Sequence, residues 1–354
     1  MLLEGLQLPL TTPFYPDGRL NLRKLEHNVA RYSKTPIAGL VALGDSGEPT
    51  MLSEEETRRT LRCVAEAAGV TKVLFAGISR DSVLETLRLA EYAAELEYDA
   101  VLVKQPSVLQ GRDVATVKSL LTYFQAVADR SAVPVVLYRA DSQREDVLPV
   151  ELVQELASHP QIFGMVDSSA GGERITNLKA GTVSVKRDVN VTQVFAAATG
   201  RMLARRETAP SGGFVSADSL VGGAAGLAVA PPKSVLKTRT KEVGFQILVN
   251  STSEMLEGLR AGAMGAMPAF AASAPQACYE VLAAWKDGDE GLAQEKQTRL
   301  RDVAARVERQ LGVGGIKYGC DLNGYYGGWP RLPLLPVTGE ERAEIEGLMQ
   351  GLRN

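Results

Sequence analysis

Short apolar stretches rich in β-branched residues alternate along the chain with longer amphipathic stretches. The amphipathic ones, for example residues 53–69 and 80–97, carry apolar residues at the i, i+3, i+4 and i+7 spacing of a helix that buries one face. Ser53 and Glu56 have the spacing of a capping box at the start of such a helix. The clearest apolar stretches are residues 37–43, 72–77, 98–104, 133–139 and 161–167. Their starts lie 26 to 35 residues apart, which is typical of successive strand–helix units.

Three further apolar stretches, at residues 6–12, 245–250 and 262–270, raise the number of predicted strands to eight. The strands are apolar on both faces, which predicts a parallel sheet covered by helices. No GxGxxG motif follows the first strand, and this argues against a doubly wound dinucleotide-binding fold. We therefore predict an α/β protein in which residues 1–274 form a (β/α)8 TIM barrel, with its active site at the carboxyl ends of the strands.

One interval is too long for a single strand–helix unit. The starts of predicted strands six and seven, residues 161 and 245, are 84 positions apart, and the surplus contains segments rich in glycine and proline. We interpret residues from about 176 to 243 as an insertion that leaves the barrel, and we expect it near the catalytic rim or at a subunit contact. Residues 275–354 have a helical pattern, so a C-terminal helical region follows the barrel.

The composition is that of a globular protein without a strongly charged face. Of the 354 residues, 45% are hydrophobic and 23% are charged, and the formal net charge is −3. These values argue against a nucleic-acid partner and against binding to an anionic membrane. The N-terminal segment lacks the pattern of a signal peptide, and no apolar run is long enough to span a membrane.

The cysteines and histidines give no sign of a metal or cofactor site. Cys63, Cys278 and Cys320 lack the CxxC spacing of a zinc site, and so few cysteines suit the reducing cytoplasm. His27 and His159 lie beside predicted helices, which argues against a histidine metal site and a Ser-His-Asp triad. We expect a cytoplasmic protein with no metal and no cofactor.

Polar residues follow several of the predicted strands, where a barrel places its catalytic groups. They are Thr11 and Thr12, the turn from Asp45 to Glu48, Tyr138, and the segment from Asp167 to Ser169. Each has a structural alternative, because a turn can be a simple connection, a tyrosine can fill the barrel and an Asp-Ser-Ser segment can cap a helix. Their coincidence at one predicted rim favours a functional site.

Several sequence motifs occur in the order and spacing of a known family. They are LPLTTPFYPDGRLN, GLVALGDSGEPTMLSEEE, VPVVLYRADSQ, FGMVDSSAGG, and GIKYG followed by WPRLPLLPVTGEER. In these motifs the chain resembles the dihydrodipicolinate synthase / N-acetylneuraminate lyase family. The resemblance implies a (β/α)8 barrel with a C-terminal three-helix region, assembled as a homotetramer or homodimer. It also implies class I aldolase, lyase or dehydratase chemistry on a small-molecule substrate, with a strand-six lysine that forms a Schiff base with pyruvate.

The resemblance assigns roles to individual residues. Tyr138 stands at the position of the proton-relay tyrosine on strand five. Ser46, Gly47 and Glu48 match the turn that binds the keto-acid carboxylate. Arg144 matches a substrate-binding arginine, in a loop one residue shorter than that of the family.

The Schiff-base lysine of the family is missing. Val166 stands at its position, directly before Asp167, and valine has no amine that could form an imine. Asp45 replaces the first hydroxyl residue of the carboxylate turn, so a keto-acid carboxylate would meet a like charge. Lys104 at the end of strand four, and Lys186 if the alignment slips, remain open as alternative amines. Lys104 and Asp167 are also candidates for substrate binding.

Two functions remain open. The first is a divergent lyase or aldolase acting on a small polar metabolite, with Tyr138 and Ser46 as a proton relay and Asp45 as an acid/base group. Such an enzyme would not form the usual pyruvate imine, and the second relay tyrosine of the family is also absent from residues 106–108. The second is a catalytically silent binding or regulatory homologue that keeps the barrel. We favour the enzyme, because a drifting site would not be expected to gain a charged residue while keeping its tyrosine.

Overall fold

Eight parallel strands close into a barrel in the computed structural model, which describes residues 1–109, 114–139, 148–168, 172–207 and 237–352. The barrel strands are β1 (Gly5–Pro9), β2 (Gly39–Ala42), β3 (Val73–Gly77), β4 (Ala100–Val103), β5 (Val135–Tyr138), β6 (Ile162–Asp167), β9 (Gln246–Val249) and β10 (Gly265–Ala266). Neighbours along the chain pair in turn, β6 pairs with β9, and β10 closes the ring on β1. Each predicted strand segment overlaps one of these strands, and the predicted (β/α)8 TIM barrel is confirmed.

Helices follow the barrel strands, and further helices belong to the insertion and to the C-terminal region. They are α1 (Leu22–Tyr32), α2 (Glu54–Ala67), α3 (Val83–Glu95), α4 (Val114–Ala128), α5 (Val150–Ala157), α6 (Glu173–Gly181), α7 (Gly200–Glu207), α8 (Met255–Arg260), α9 (Pro275–Lys286), α10 (Glu290–Ala304), α11 (Gly312–Leu322) and α12 (Gly339–Leu348). The predicted capping box is present, since Ser53 Oγ accepts from the Glu56 N–H at 3.2 Å and Glu56 Oε2 accepts from the Ser53 N–H at 3.0 Å. A cap of this kind stabilises a helix by about 1 kcal/mol.

Side chains that point inward fill the barrel as one apolar cluster. Its members on the strands are Val41, Val73, Phe75, Ala100, Leu102, Val136, Tyr138, Val166 and Leu248. The strand register pairs Tyr138 with Val166 and Val166 with Leu248. Because side chains alternate between the two faces of a strand, this register sets which residues share one level inside the barrel.

Two additional strands, β7 (Arg187–Thr192) and β8 (Thr238–Val243), form an antiparallel sheet outside the barrel. They come after α6, which packs beside α5, so the sixth strand–helix unit is complete before this hairpin. Val189, Val191 and Val243 pack in one cluster with Leu2, and Phe163 at the start of β6 lies against it. Leu2 lies before β1 and Phe163 lies at the start of β6, so both residues are at the amino-terminal end of the barrel. The hairpin therefore covers this end.

Contacts before α7 extend the cover over the same end. The Thr199 hydroxyl donates to the carbonyl oxygen of Val70 at 2.6 Å, and the Gly200 N–H donates to Asp99 Oδ1 at 2.8 Å. Both acceptors lie just before barrel strands β3 and β4. The described part of the insertion therefore lies opposite the carboxyl rim. Of our two expected positions, the catalytic rim is wrong for these residues, and a subunit contact stays a prediction.

The C-terminal helices contact the turn that follows β2. Lys317 on α11 pairs with Glu48, with 2.5 Å between Nζ and Oε1, and both side chains are buried. The Arg331 guanidinium donates to both carboxylate oxygens of Glu56, at 2.8 and 2.7 Å. The helical region thereby holds the entry to α2 in place.

Among the helices in the described ranges, none is both long and apolar enough to cross a membrane.

Candidate active site

The turn after β2 brings Asp45 to the barrel rim. Residues Asp45–Gly47 form one 3-10 turn, and Glu48 follows with φ at 53°, in the left-handed region. The Thr12 hydroxyl donates to the carbonyl oxygen of Gly47 at 2.7 Å and so ties the turn to the segment after β1. The Asp45 side chain is 45% exposed, so its carboxylate faces the open mouth of the barrel.

Tyr138 links this carboxylate to the barrel interior. As the last residue of β5, it is buried and donates its hydroxyl hydrogen to Asp45 Oδ2 at 3.0 Å. Asn250, directly after β9, donates from Nδ2 to the Tyr138 hydroxyl oxygen at 3.4 Å. Ser46 is buried in the same turn, but the Tyr138 hydroxyl donates to Asp45 rather than to Ser46. The role of Ser46 in a relay with Tyr138 stays a prediction.

Lys104 follows β4 and completes the site. Its Nζ forms an ion pair with Asp45 and lies 5.0 Å from the centre of the Tyr138 ring. Its backbone N–H donates to Ser79 Oγ at 2.8 Å, which holds the end of β4 against the segment after β3. Burial lowers the pKa of the Lys104 ammonium to about 8, because desolvation disfavours the charged form. We call Asp45, Lys104, Tyr138 and Asn250 the rim cluster.

Val166 lies beside the rim cluster and offers it no polar group. The side chain is fully buried and packs in the interior cluster with Tyr138 and Leu248. Its register partner on β5 is Tyr138, so residue 166 occupies the same level of the barrel as the tyrosine. An amine at this position would reach the tyrosine directly, whereas the isopropyl group only fills space.

Two of the predicted substrate-binding carboxylates are engaged in buried ion pairs. Glu48 contacts Lys317 and also accepts the Arg331 N–H at 2.8 Å. Asp167 is completely buried, accepts from Arg174 Nε at 2.7 Å and lies 3.5 Å from Arg139 Nη1. Such paired carboxylates hold neighbouring segments together, because removing either partner would leave a buried charge.

Lys186, another basic residue of the sequence-based hypothesis, does not join the rim cluster. Lys186 precedes β7 at the amino-terminal end, is 68% exposed, and pairs with Glu242 at 3.1 Å. It is therefore excluded as a substitute nucleophile at the carboxyl rim. Arg144 lies outside the described residues.

Asn250 is the member of the rim cluster that the sequence analysis missed. It ends the predicted strand FQILVN, and a polar residue at the carboxyl end of an apolar strand is the same signal that marked Asp45 and Tyr138. Applying that rule to strand seven would have found it.

A cleft of about 500 Å³ opens beside Lys104. Its walls come from the segment after β2, the start of α2 and the segments after β3 and β4. The charged lining residues are Glu54, Arg80, Asp81 and Lys104. Positive and negative groups are thus balanced, and a neutral polar molecule would meet no net opposing charge.

The fold and the rim together define the class of protein, a (β/α)8 barrel with a polar cluster at the carboxyl ends of its strands, as barrel enzymes have. The sequence pattern of the dihydrodipicolinate synthetase family matches residues 2–187 and 233–352. The chain belongs to this family, as its motifs predicted.

The chain is similar to named relatives in sequence and to solved structures in fold. The chain is 25% identical over 349 residues to a 4-hydroxy-tetrahydrodipicolinate synthase of Acidiphilium cryptum, covering 99% of this chain and 98% of the relative. Its fold is similar to that of a dihydrodipicolinate synthase from Bacillus anthracis, with a TM-score of 0.77, 19% identity and full coverage of both chains. It is also similar to N-acetylneuraminate lyase from Mycoplasma synoviae, with a TM-score of 0.72 and 16% identity over 99% of this chain and 98% of that one.

Proposed function

We propose that this protein is a lyase of the aldolase or dehydratase type, acting on a small polar carbonyl compound. Tyr138 and Asp45 are its proton-transfer pair, and no imine forms on residue 166. The observation that carries the proposal is the 3.0 Å hydrogen bond from the Tyr138 hydroxyl to Asp45 at the mouth of the barrel. A phenol and a carboxylate in contact can pass a proton between a substrate carbon and solvent.

The negative charge of Asp45 limits which carbonyl compounds can bind at the site. Next to a bound 2-keto acid, the Asp45 carboxylate would face the carboxylate of the substrate, and like charges in contact cost several kcal/mol. A carbonyl compound without that carboxylate avoids the repulsion. We therefore propose a neutral polar substrate in place of pyruvate.

Solvent deuterium exchange tests this function without knowledge of the full reaction. The protein is incubated in D2O with glycolaldehyde, glyceraldehyde, dihydroxyacetone or pyruvate, and loss of the proton signal next to the carbonyl is followed by NMR. We expect exchange with at least one neutral compound, and a loss of about 10²-fold or more in Tyr138→Phe and Asp45→Asn, as for removal of a general acid/base group.

Tyr279→Phe is the matched control, because Tyr279 is a partly buried tyrosine on α9, outside the rim. It should exchange like the unchanged protein. Equal rates in Tyr138→Phe and the unchanged protein would refute the proposed pair.

A catalytically silent binding protein is the second candidate, and Val166 is the observation that favours it. Loss of the amine removes the family's usual electron sink. This alternative predicts that a neutral carbonyl compound raises the melting temperature of the protein while no exchange occurs with any compound. That combination of results would replace the enzyme proposal with the binding one.

A further inference from the structure

Lys104 lies at the same level of the barrel as Tyr138 and Val166. The register pairs Val103 with Leu137 on β4 and β5, so the next residues along the two strands are Lys104 and Tyr138. On β4, Leu102 points into the interior cluster, and alternation turns Lys104 to the same side. Lys104 therefore approaches Tyr138 from β4, while residue 166 approaches it from β6.

The surroundings of Lys104 suit an amine that must lose its proton. Asp45 lies in contact with Nζ and can accept that proton, and the Tyr138 ring covers the other side at 5.0 Å. With its pKa lowered to about 8 by burial, about a tenth of Lys104 is neutral at pH 7. The side chain is still 28% exposed and lines the 500 Å³ cleft, so a molecule in the cleft can reach it.

We propose that Lys104 is the covalent nucleophile of this site, so that the imine-forming amine stands on β4 instead of at position 166. This inference rests on the proposed function and names the electron sink that the function needs. Lys104 is thereby assigned to bond formation with the substrate rather than to its binding alone.

The covalent step balances with the groups at the rim. The Lys104 ammonium gives one proton to Asp45, and the free amine adds to the carbonyl carbon of the substrate. A proton passes from the attacking nitrogen to the new alkoxide through Tyr138, which gives a neutral carbinolamine. Its hydroxyl leaves as water with the proton held by Asp45, and a Lys104 iminium remains. The net change is ammonium plus carbonyl to iminium plus water, with no oxidation or reduction.

The cleft beside Lys104 specifies the class of substrate. Its hydroxyl and amide groups come from Thr50, Ser79, Gln105 and Ser107. They provide donors and acceptors for substrate hydroxyls. Together with the balanced charges of the cleft, they favour a short, neutral hydroxyaldehyde or hydroxyketone.

Borohydride trapping tests the inference. The intact protein is incubated with glycolaldehyde, reduced with sodium borohydride, and analysed by intact mass and peptide mapping. We expect one adduct per chain, on residue 104, and none there with pyruvate. The adduct should be absent from Lys104→Met and present in Lys118→Met, since Lys118 on α4 is an exposed lysine.

Lys104→Arg separates a covalent role from an electrostatic one. Arginine keeps the positive charge beside Asp45 but does not form an imine. We expect Lys104→Arg and Lys104→Met both to lose deuterium exchange by about 10²-fold or more, with circular dichroism spectra like that of the unchanged protein. Exchange that survives in Lys104→Arg would overturn the covalent role, as would adducts spread evenly over exposed lysines.

The failure of the inference is distinct from that of the proposed function. Exchange that needs Tyr138 but not Lys104, with no adduct on residue 104, would leave the function standing and refute the nucleophile. No exchange with any compound in the unchanged protein would refute both.

Discussion

Tyr138 and Val166 are register partners on neighbouring strands of the barrel, and both side chains belong to one buried interior cluster. The residue that the sequence analysis assigns to the family's lysine position is therefore apolar, and it lies beside the tyrosine of the proposed proton-transfer pair. This pairing gives the first prediction, in which the missing amine is put back.

Val166→Lys, made in a Lys104→Met background, should form an imine with pyruvate weakly. Burial beside Tyr138 favours the neutral amine, but Asp45 repels the pyruvate carboxylate. Adding Asp45→Thr should raise the trapped fraction substantially. Borohydride reduction with intact mass measures both, and we expect the longer side chain to cost about 1–3 kcal/mol of stability through overpacking. Equal trapping with and without Asp45→Thr would show that Asp45 does not face the keto-acid carboxylate.

The rate of adduct formation on Lys104 should rise with pH around a midpoint at its lowered pKa of about 8 and level off at higher pH, where the amine is neutral. Asp45 and Tyr138 are the ionisable groups that contact this amine. Asp45→Asn should shift the rise to lower pH, because the negative charge that favours the ammonium is removed. Initial rates of glycolaldehyde trapping between pH 6 and 10 provide the measurement. A rise centred near the ordinary lysine pKa of about 10.4 would contradict the burial effect.

The buried pair of Glu48 and Lys317 should matter for stability. Lys317→Met leaves the Glu48 carboxylate buried without its cation, and we expect a loss of about 3–5 kcal/mol in the free energy of unfolding. The double change with Glu48→Gln should recover part of the loss. Urea unfolding measures these free energies, with Lys118→Met as the exposed-lysine control. If Lys317→Met lowers the free energy of unfolding no more than Lys118→Met does, the pair does not hold the turn after β2.

Glu56 should make the fold sensitive to acid. Hydrogen bonds from Arg331 lower the pKa of this carboxyl from 4.5 to about 2. Because the pKa is lower in the folded state, the stabilisation is complete above pH 4.5 and is lost as the pH falls towards 2. Glu56→Gln should therefore melt at a lower temperature than the unchanged protein at pH 6, and the difference should shrink as the pH approaches 2. A difference that stays constant over this range would exclude the linkage.

Much of the fold and part of the site followed from local patterns. Apolar strands at regular intervals predict the barrel, because each strand is apolar on both faces and each strand–helix unit must bury it in the same way. Val166 was assigned to strand six because it stands one residue before Asp167, at the polar end of the strand, and the structure places it there. The inward direction of Lys104 did not follow, since the end of a short strand leaves its side chain free to face either way until the neighbouring strand fixes the register.

The sequence by itself determined the alternation of strands and helices and the family, and it predicted that the family's lysine is absent at position 166. Only the tertiary structure decided which polar groups meet. Asp45, Lys104, Tyr138 and Asn250 come from the ends of four strands, and barrel closure with its register brings them within contact. It also decided that Glu48 pairs with α11 and that the described insertion covers the amino-terminal end. Hydrophobic periodicity predicts which face of a helix or strand is buried. Contacts between distant segments depend instead on how the closed sheet aligns those segments.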